Sequence, residues 1–264
     1  MTLPLFGPGQ DPGPSFFELL RRTGLRPPIE AGTDVTQVSH GTTIVAIRYT
    51  EGVVMAGDRR ATEGYSIAHR AIEKVYPADR HSGVSIAGAA GFAVEMVRLF
   101  QTELEMYEKL EGAALSLEGK ANKLGQMVRA NLGMAMEGLA VVPIYAGYDL
   151  RRRMGRIFKY DITGGRYEED QFHATGSGGR DARTTIKLGY RDGMGRADAI
   201  ELAIEALYQA ADEDAATGGP DVVRGIYPTV ATIAAEGFVR VGDEEVAERF
   251  RTLIGRKSAE GQTR

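Results

Sequence analysis

The chain has no cysteine, no tryptophan and only four histidines in 264 residues. Without cysteine there is no disulfide, no thiolate nucleophile and no cysteine-ligated zinc. His40, His69, His81 and His173 are too widely separated to form a close-spaced ligand pair, so no metal site is expected. A Ser-His-Asp arrangement lacks its nucleophile turn, because Ser177 in Thr175-Gly176-Ser177-Gly178-Gly179 does not fit Gly-x-Ser-x-Gly. The same glycines lack the Gly-Lys-Ser/Thr that would make a phosphate loop. No apolar run approaches the roughly 18 residues that span a bilayer. A net charge of −4 gives no electrostatic reason to expect nucleic acid or an anionic membrane as partner. The N-terminus has neither a basic start nor a sustained apolar stretch, so no secretory signal is expected, and a reducing cytoplasm is the expected compartment.

What the chain does have is a change of character near residue 41. Six of its ten prolines (Pro4, Pro8, Pro12, Pro14, Pro27 and Pro28) lie before that point. Between them Ser15 to Arg22 suits a two-turn helix capped by Ser15, too short to stand without a surface to dock on. The remainder, with 43% hydrophobic residues in the whole chain, is ample for a core. Thr43 to Tyr49 and Gly52 to Ala56 read as a hairpin, with the polar segment Asp58 to Thr62 after it. Lys74 to Tyr76 and Gly83 to Ala87 read as two more strands. Apolar stripes of helical period follow: Ala93, Val97, Phe100, Leu104, Tyr107 and Leu110, then Leu117, Ala121, Leu124, Val128, Leu132 and Ala135, parted by Gly112. A second β group covers Ala140 to Tyr148, Arg156 to Asp161 and Gln171 to Thr175. Helices return over Ser177 to Tyr190 and Arg196 to Asp212. Strands at Thr229 to Ala235 and Phe238 to Val241, a short helix from Asp243 to about Gly255 and a polar tail complete the chain.

Strands and helices thus come in groups rather than in strict alternation, which predicts antiparallel sheets with helices stacked on them. The expected fold is α+β, a four-layer αββα sandwich of two antiparallel sheets between helix layers. No repeat of solenoid period is present.

The chemistry centres on His40-Gly41-Thr42-Thr43, at the entrance to the first strand. A cut between Gly41 and Thr42 would leave a threonine whose hydroxyl is the nucleophile and whose α-amine, with an ordinary pKa near 8, is the base. No histidine is then needed. Asp58 and Lys74 follow and precede apolar strands, and a lysine held by an aspartate beside the hydroxyl would favour its alkoxide. Taken one at a time, each reads more readily as a surface charge.

Taken together, Gly41-Thr42-Thr43-Ile44-Val45-Ala46, Gly57-Asp58-Arg59-Arg60-Ala61-Thr62, Lys74-Val75, Ala87-Gly88, Thr175-Gly176-Ser177-Gly178 and Asp212 to Gly218 resemble the catalytic β-type subunits of the 20S proteasome, N-terminal-nucleophile hydrolases. The resemblance runs from Thr42 to about Val241. Tyr107 to Gly112 and Thr217-Gly218-Gly219-Pro220-Asp221 are most similar to the actinobacterial branch. It implies a threonine endopeptidase in which Thr42 is nucleophile and base, Asp58 and Lys74 the charged pair, and Ser177 and Asp214 the residues that orient the amine and its water. It further implies the Gly88 N–H as oxyanion donor and Thr62 as a binder of substrate backbone. The pocket for the residue before the scissile bond would be lined by Ala61, Ile72, Ile86, Ala90 and Val94, apolar and uncharged. The domains implied are a propeptide over 1–41 removed by autocleavage at Gly41–Thr42, a catalytic domain over 42–255 and a polar tail over 256–264. A glycine at 41 would supply the strained backbone that autocleavage needs. Partners implied are other β subunits and α subunits in four stacked seven-membered rings, a ring-shaped ATPase and substrates tagged by a ubiquitin-like protein. No cofactor is implied. Two other readings remain open on the residues alone: a small-molecule N-terminal-nucleophile amidohydrolase, and a non-catalytic ring subunit.

Overall fold

A computed structural model of the chain describes residues 16–23, 41–63 and 66–262. Ser15, the expected helix cap, and His40 lie outside the described residues, as does most of the segment before Gly41. Within that segment one helix, α1 (Phe16–Thr23), is described, lying against the helices α2 (Ala90–Glu111) and α3 (Leu117–Ala130). After Gly41 come β1 (Thr43–Tyr49), β2 (Gly52–Gly57), β3 (Ala61–Glu63), β4 (Ser66–His69), β5 (Val75–Asp79) and β6 (Ser82–Gly88). Following α2 and α3 are α4 (Leu132–Met136), β7 (Val141–Asp149), β8 (Met154–Tyr160), β9 (Arg166–Glu169) and β10 (Phe172–Gly176). The chain continues with α5 (Gly179–Gly189), α6 (Arg196–Glu213), β11 (Thr229–Ala234), β12 (Gly237–Arg240) and α7 (Asp243–Gln262).

Two five-stranded antiparallel sheets result, one in the order β10-β1-β2-β11-β12 and the other β5-β6-β7-β8-β9. The first is covered by α5, α6 and α7. Val45, Ile47, Val54 and Ala56 of the sheet pack there on Ile186, Ile200, Ile204, Leu207, Phe250 and Leu253. The second is covered by α2 and α3, where Val84, Tyr145 and Phe158 meet Met96, Phe100, Leu104, Leu124 and Met127. Between the sheets lie Ile44, Ala46, Val53, Met55, Ile144, Ala146, Ile157, Ala231 and Ile233. Successive residues of a strand face opposite ways. Val45 and Ile47 therefore point at helices while Ile44 and Ala46 point at the other sheet. Burial on both faces is why β1 reads as a continuous apolar run. Each fully buried Ile, Leu or Phe contributes about 1.5–3 kcal/mol, so three such layers fix the sandwich. The four-layer arrangement is the one the grouping of elements predicts.

The structure departs from the sequence reading in five places, four of them before the last helix. The hairpin β3–β4 replaces what reads as a polar connector; β4 is wholly exposed, so no apolar alternation marks it. β9 is equally inconspicuous in Arg166-Tyr167-Glu168-Glu169, held by pairing to β8. The third strand expected with the second β group, β10, pairs instead with β1 in the other sheet. The long second helix stops at Asn131, whose side-chain amide donates to the Met127 carbonyl at 2.8 Å, the local competition that disfavours asparagine inside helices.

At the C-terminal end the helix does not stop near Gly255 but runs to Gln262. Gly255 faces open space, so a helical glycine there costs only its propensity, about 1 kcal/mol. Beyond it Arg256 pairs with Glu201 at 2.6 Å and Lys257 with Glu205 at 2.7 Å, tying what reads as a polar tail to α6. No helix of the described residues is long and apolar enough to cross a membrane.

Candidate active site

The site forms where β1 begins, at the end of the sandwich reached by the last residues of β2 and β6. The register Ile44↔Gly57 sets Asp58 beside Thr43. The Asp58 N–H donates to the Thr43 carbonyl at 3.1 Å, and the Thr43 N–H donates to Asp58 Oδ1 at 2.8 Å. Asp58 Oδ2 accepts from the N–H groups of Arg60 at 2.9 Å and Gly218 at 2.8 Å. A fully buried carboxylate is thus held by three backbone donors and one cation, the ammonium of Lys74 at 2.7 Å. Lys74 Nζ also donates to the Arg60 carbonyl at 2.6 Å and to the Gly41 carbonyl at 3.2 Å. Burial pulls the Lys74 pKa below the ordinary lysine value, with the Asp58 charge opposing that shift.

On the other side of Thr42 stand Ser177 and Asp214. The pair Thr43↔Gly176 ends β10 against β1. Gly176 has φ +106°, and a Cβ on it would lie 1.8 Å from the Thr42 carbonyl oxygen, so only glycine permits this approach. The chain then turns, the Ser177 N–H donates to the Thr42 carbonyl at 2.9 Å, and the Ser177 hydroxyl accepts the Thr42 N–H at 3.3 Å. Asp214 caps α6. Its Oδ1 accepts from the Ala216 N–H at 3.1 Å and its Oδ2 from the Thr217 hydroxyl at 2.6 Å. Burial alone would raise its pKa, but hydrogen bonds from Ser177, Thr217 and Ala216 outweigh it and hold the carboxyl below the ordinary aspartate value.

Thr42 is itself nearly buried, and its hydroxyl donates to the Gly41 carbonyl at 2.6 Å. A Cβ on Gly41 would meet the Ala216 carbonyl oxygen at 2.6 Å and the Thr62 hydroxyl at 2.7 Å. Close packing alone therefore leaves no room for a side chain at this position.

Thr42, Gly41, Lys74 and Gly88 share a cleft of about 400 Å³. Gly88 has φ +119°, and a Cβ there would fall 2.0 Å from the Ala140 carbonyl oxygen. Ala61, Ile72, Ile86, Ala90 and Val94 all line the same cleft, whereas Thr62 abuts Gly41 without lining it. The lining is not wholly apolar and uncharged. Glu73 and His69 also contribute, and the Glu73 carboxylate accepts from Arg59 at 2.9 Å, Arg240 at 3.0 Å and Thr229 at 2.9 Å. The residues that sequence reasoning missed act through backbone or short hydroxyl groups: the Arg60 carbonyl, the Gly218 N–H, Thr43 and Thr217. Nothing in a side-chain pattern announces the first two. Among the described residues, no three His, Asp or Glu side chains cluster so as to hold a metal ion.

Residues 38–224 match the proteasome subunit family. Over 264 aligned residues the chain is 61% identical to a proteasome subunit beta of Acidimicrobium ferrooxidans, covering 98% of this chain and 97% of that one. To proteasome subunit beta of Acidothermus cellulolyticus it is 58% identical, over 87% of this chain and 80% of the relative. To that of Streptomyces griseus subsp. griseus it is 55% identical, over 91% and 84%. With a family match over most of its length and relatives more than half identical to it, the chain belongs to the proteasome subunit family as a β-type subunit.

Proposed function

We propose that this β subunit is a threonine endopeptidase that frees its own nucleophile by cutting between Gly41 and Thr42. The observation that carries the reading is the convergence at that peptide bond. The Thr42 hydroxyl and the Lys74 ammonium both address the Gly41 carbonyl oxygen, at 2.6 and 3.2 Å, while Asp58 anchors the ammonium. A cation on a carbonyl oxygen polarises it toward attack and favours the alkoxide of a neighbouring hydroxyl.

In the cut, Thr42 Oγ adds to the Gly41 carbonyl carbon and gives up its proton to a water. The C–N bond breaks, the nitrogen takes a proton, and an ester joins Gly41 to Thr42 Oγ. Water then hydrolyses the ester, leaving a carboxylate on residue 41 and a hydroxyl and free amine on Thr42. Toward substrate the amine takes the hydroxyl proton and passes it to the leaving nitrogen of the scissile bond. The acyl-ester is cleaved by water as before. Ser177 is already within hydrogen-bond reach of the nitrogen that becomes this amine, and Asp214 fixes Ser177. The Gly88 N–H is the oxyanion donor, a contribution of roughly 3 kcal/mol where such groups have been removed. Thr62 binds substrate backbone in extended form. Ala61, Ile72, Ile86, Ala90 and Val94 take an apolar side chain before the scissile bond.

In this reading residues 1–41 are a propeptide and 42–255 the catalytic domain, with 256–264 as its tail, of which 256–262 continue α7. The subunit works in the cytoplasm in seven-membered rings, two of β subunits between two of α subunits. A ring-shaped ATPase feeds it unfolded proteins tagged by a ubiquitin-like protein. The test is intact mass after assembly with the α subunit, with Thr42→Ala alongside. Loss of residues 1–41 from the wild type alone is the expected result. Full-length wild type in assembled rings would refute the reading.

A further inference from the structure

Thr43 is the first residue of a strand whose other inward positions are apolar, and it is completely buried. A hydroxyl in such a place has to be hydrogen-bonded, and this one is bonded twice. The Gly178 N–H donates to Thr43 Oγ1 at 2.9 Å, and Thr43 Oγ1 lies 2.6 Å from Thr217 Oγ1. The direction of the second bond is fixed by its neighbours. Thr217 has one hydroxyl proton, which goes to Asp214 Oδ2 at 2.6 Å. A hydroxyl that has spent its proton accepts from the next one, so Thr43 is the donor. The chain therefore runs one way, from the Gly178 N–H through Thr43 and Thr217 to the Asp214 carboxylate.

The two ends of that chain lie on different loops. Gly178 belongs to the turn between β10 and α5, directly after Ser177; Thr217 belongs to the segment after α6, three residues from Asp214. No room is left around the junction. A Cβ on Gly178 would sit 2.7 Å from the Thr43 hydroxyl and 2.8 Å from that of Thr217. Resting on the threonine-protease reading above, we infer that Thr43 is a positioning residue for the reaction. Its hydroxyl locks the Ser177 turn and the Asp214 loop to the backbone that carries Thr42, so that the freed amine meets both in register. The residue after the nucleophile thereby takes part in catalysis without touching substrate.

The experiment compares wild type, Thr43→Val, Thr43→Ala and Thr43→Ser in full-length chains assembled with the α subunit, with Thr42→Ala as the blank. Measured are kcat and KM on an apolar peptide substrate and the pH profile of kcat/KM, normalised to processed subunits by mass. Thr43→Val keeps the shape and removes both hydrogen bonds; kcat falls about tenfold, KM stays within twofold and the limb of the profile that reports the amine shifts. Thr43→Ser keeps the hydroxyl and stays within twofold of wild type. Thr43→Ala follows Thr43→Val, so a variant that does not assemble leaves the other to be read. Wild-type kcat and pH profile in the two hydroxyl-free variants would overturn the inference, and so would equal losses in the serine and valine variants. An active wild type with an inactive Thr42→Ala keeps the protease reading whichever way Thr43 falls; wild-type activity no higher than that of Thr42→Ala would defeat the parent reading itself.

Discussion

If the chain cuts itself and then acts as a peptidase, as proposed, Gly41→Ala separates the two activities in a single residue. The methyl group it adds would start 2.6 Å from the Ala216 carbonyl oxygen, 2.7 Å from the Ala216 Cβ and 2.7 Å from the Thr62 hydroxyl. Thr62 can swing away, but a backbone carbonyl cannot, so the chain at residue 41 must shift. Overpacking of this kind costs about 1–3 kcal/mol. The shift moves the Gly41 carbonyl relative to the Thr42 hydroxyl and the Lys74 ammonium, which now address it at 2.6 and 3.2 Å. If that cost falls on the attacking geometry, self-cleavage slows by about 5- to 150-fold, since each 1.36 kcal/mol is a factor of ten. On the proposed cleavage residue 41 leaves with the propeptide, so the processed subunit would be chemically identical to wild type. Time-resolved intact mass gives the processing rate, and a fluorogenic peptide assay gives turnover per processed subunit. Slowed processing with unchanged turnover per processed site is expected. Processing at the wild-type rate would refute the packing argument. Lowered turnover per processed site would refute the claim that Gly41 matters only before cleavage.

Other perturbations test the support around Thr42. Asp58→Asn replaces one carboxylate oxygen by an NH₂ group, and either oxygen faces two donors: Thr43 N–H with Lys74, or Arg60 N–H with Gly218 N–H. Breaking a buried ion pair in this way costs about 3–5 kcal/mol, expected as a lowered urea midpoint of the full-length chain; a change under about 1 kcal/mol would count against it. His173 is buried, and burial holds its pKa down at about 4, with Glu169 opposing the shift and Lys159 and Arg183 adding to it. As pH falls below the unfolded value near 6.5 the unfolded chain takes up the proton first, so stability is lost between pH 6.5 and about 4, in all about 3 kcal/mol. His173→Gln should flatten that part of the stability–pH curve. An unchanged acid slope would show that other groups set it.

How much of this was readable beforehand varies with the kind of evidence each residue leaves in the sequence. β1, β2 and β7 are apolar for most of their length because both faces are buried, and such runs are easy to see. β4 and β9 are strands only because a neighbour supplies their hydrogen bonds, and their residues carry no trace of it. Asn131 and Gly255 illustrate opposite errors. A polar residue inside an apolar stripe ended one helix, while a glycine that reads as a stop was carried through by packing and ion pairs on α6. At the site, Thr42, Asp58 and Lys74 are visible as residues with chemistry to offer, and Ser177 and Asp214 only through the family resemblance. The Arg60 carbonyl and the Gly218 N–H are not, since every residue has such groups. Glu73 carries no mark in the sequence either, since Arg59, Arg240 and Thr229, which hold its carboxylate beside the cleft, come from distant parts of the chain.

The sequence by itself determined which chemistry is out of reach: with no cysteine there is no thiolate nucleophile, and the hydroxyl nucleophile proposed above needs no histidine. It also determined the layers, through apolar stripes of 3.6-residue period, continuous apolar strand runs and the grouping of strands and helices. Only the tertiary structure decided that residues 42, 58, 74, 177 and 214 meet. Their meeting depends on the registers of β1 with β2 and with β10, and a register is set by the sum of many distant pairings and by the fit of two sheets. It decided too that Gly41, Gly88 and Gly176 have to be glycine, because the carbonyl oxygens that would collide with a side chain there come from other parts of the chain.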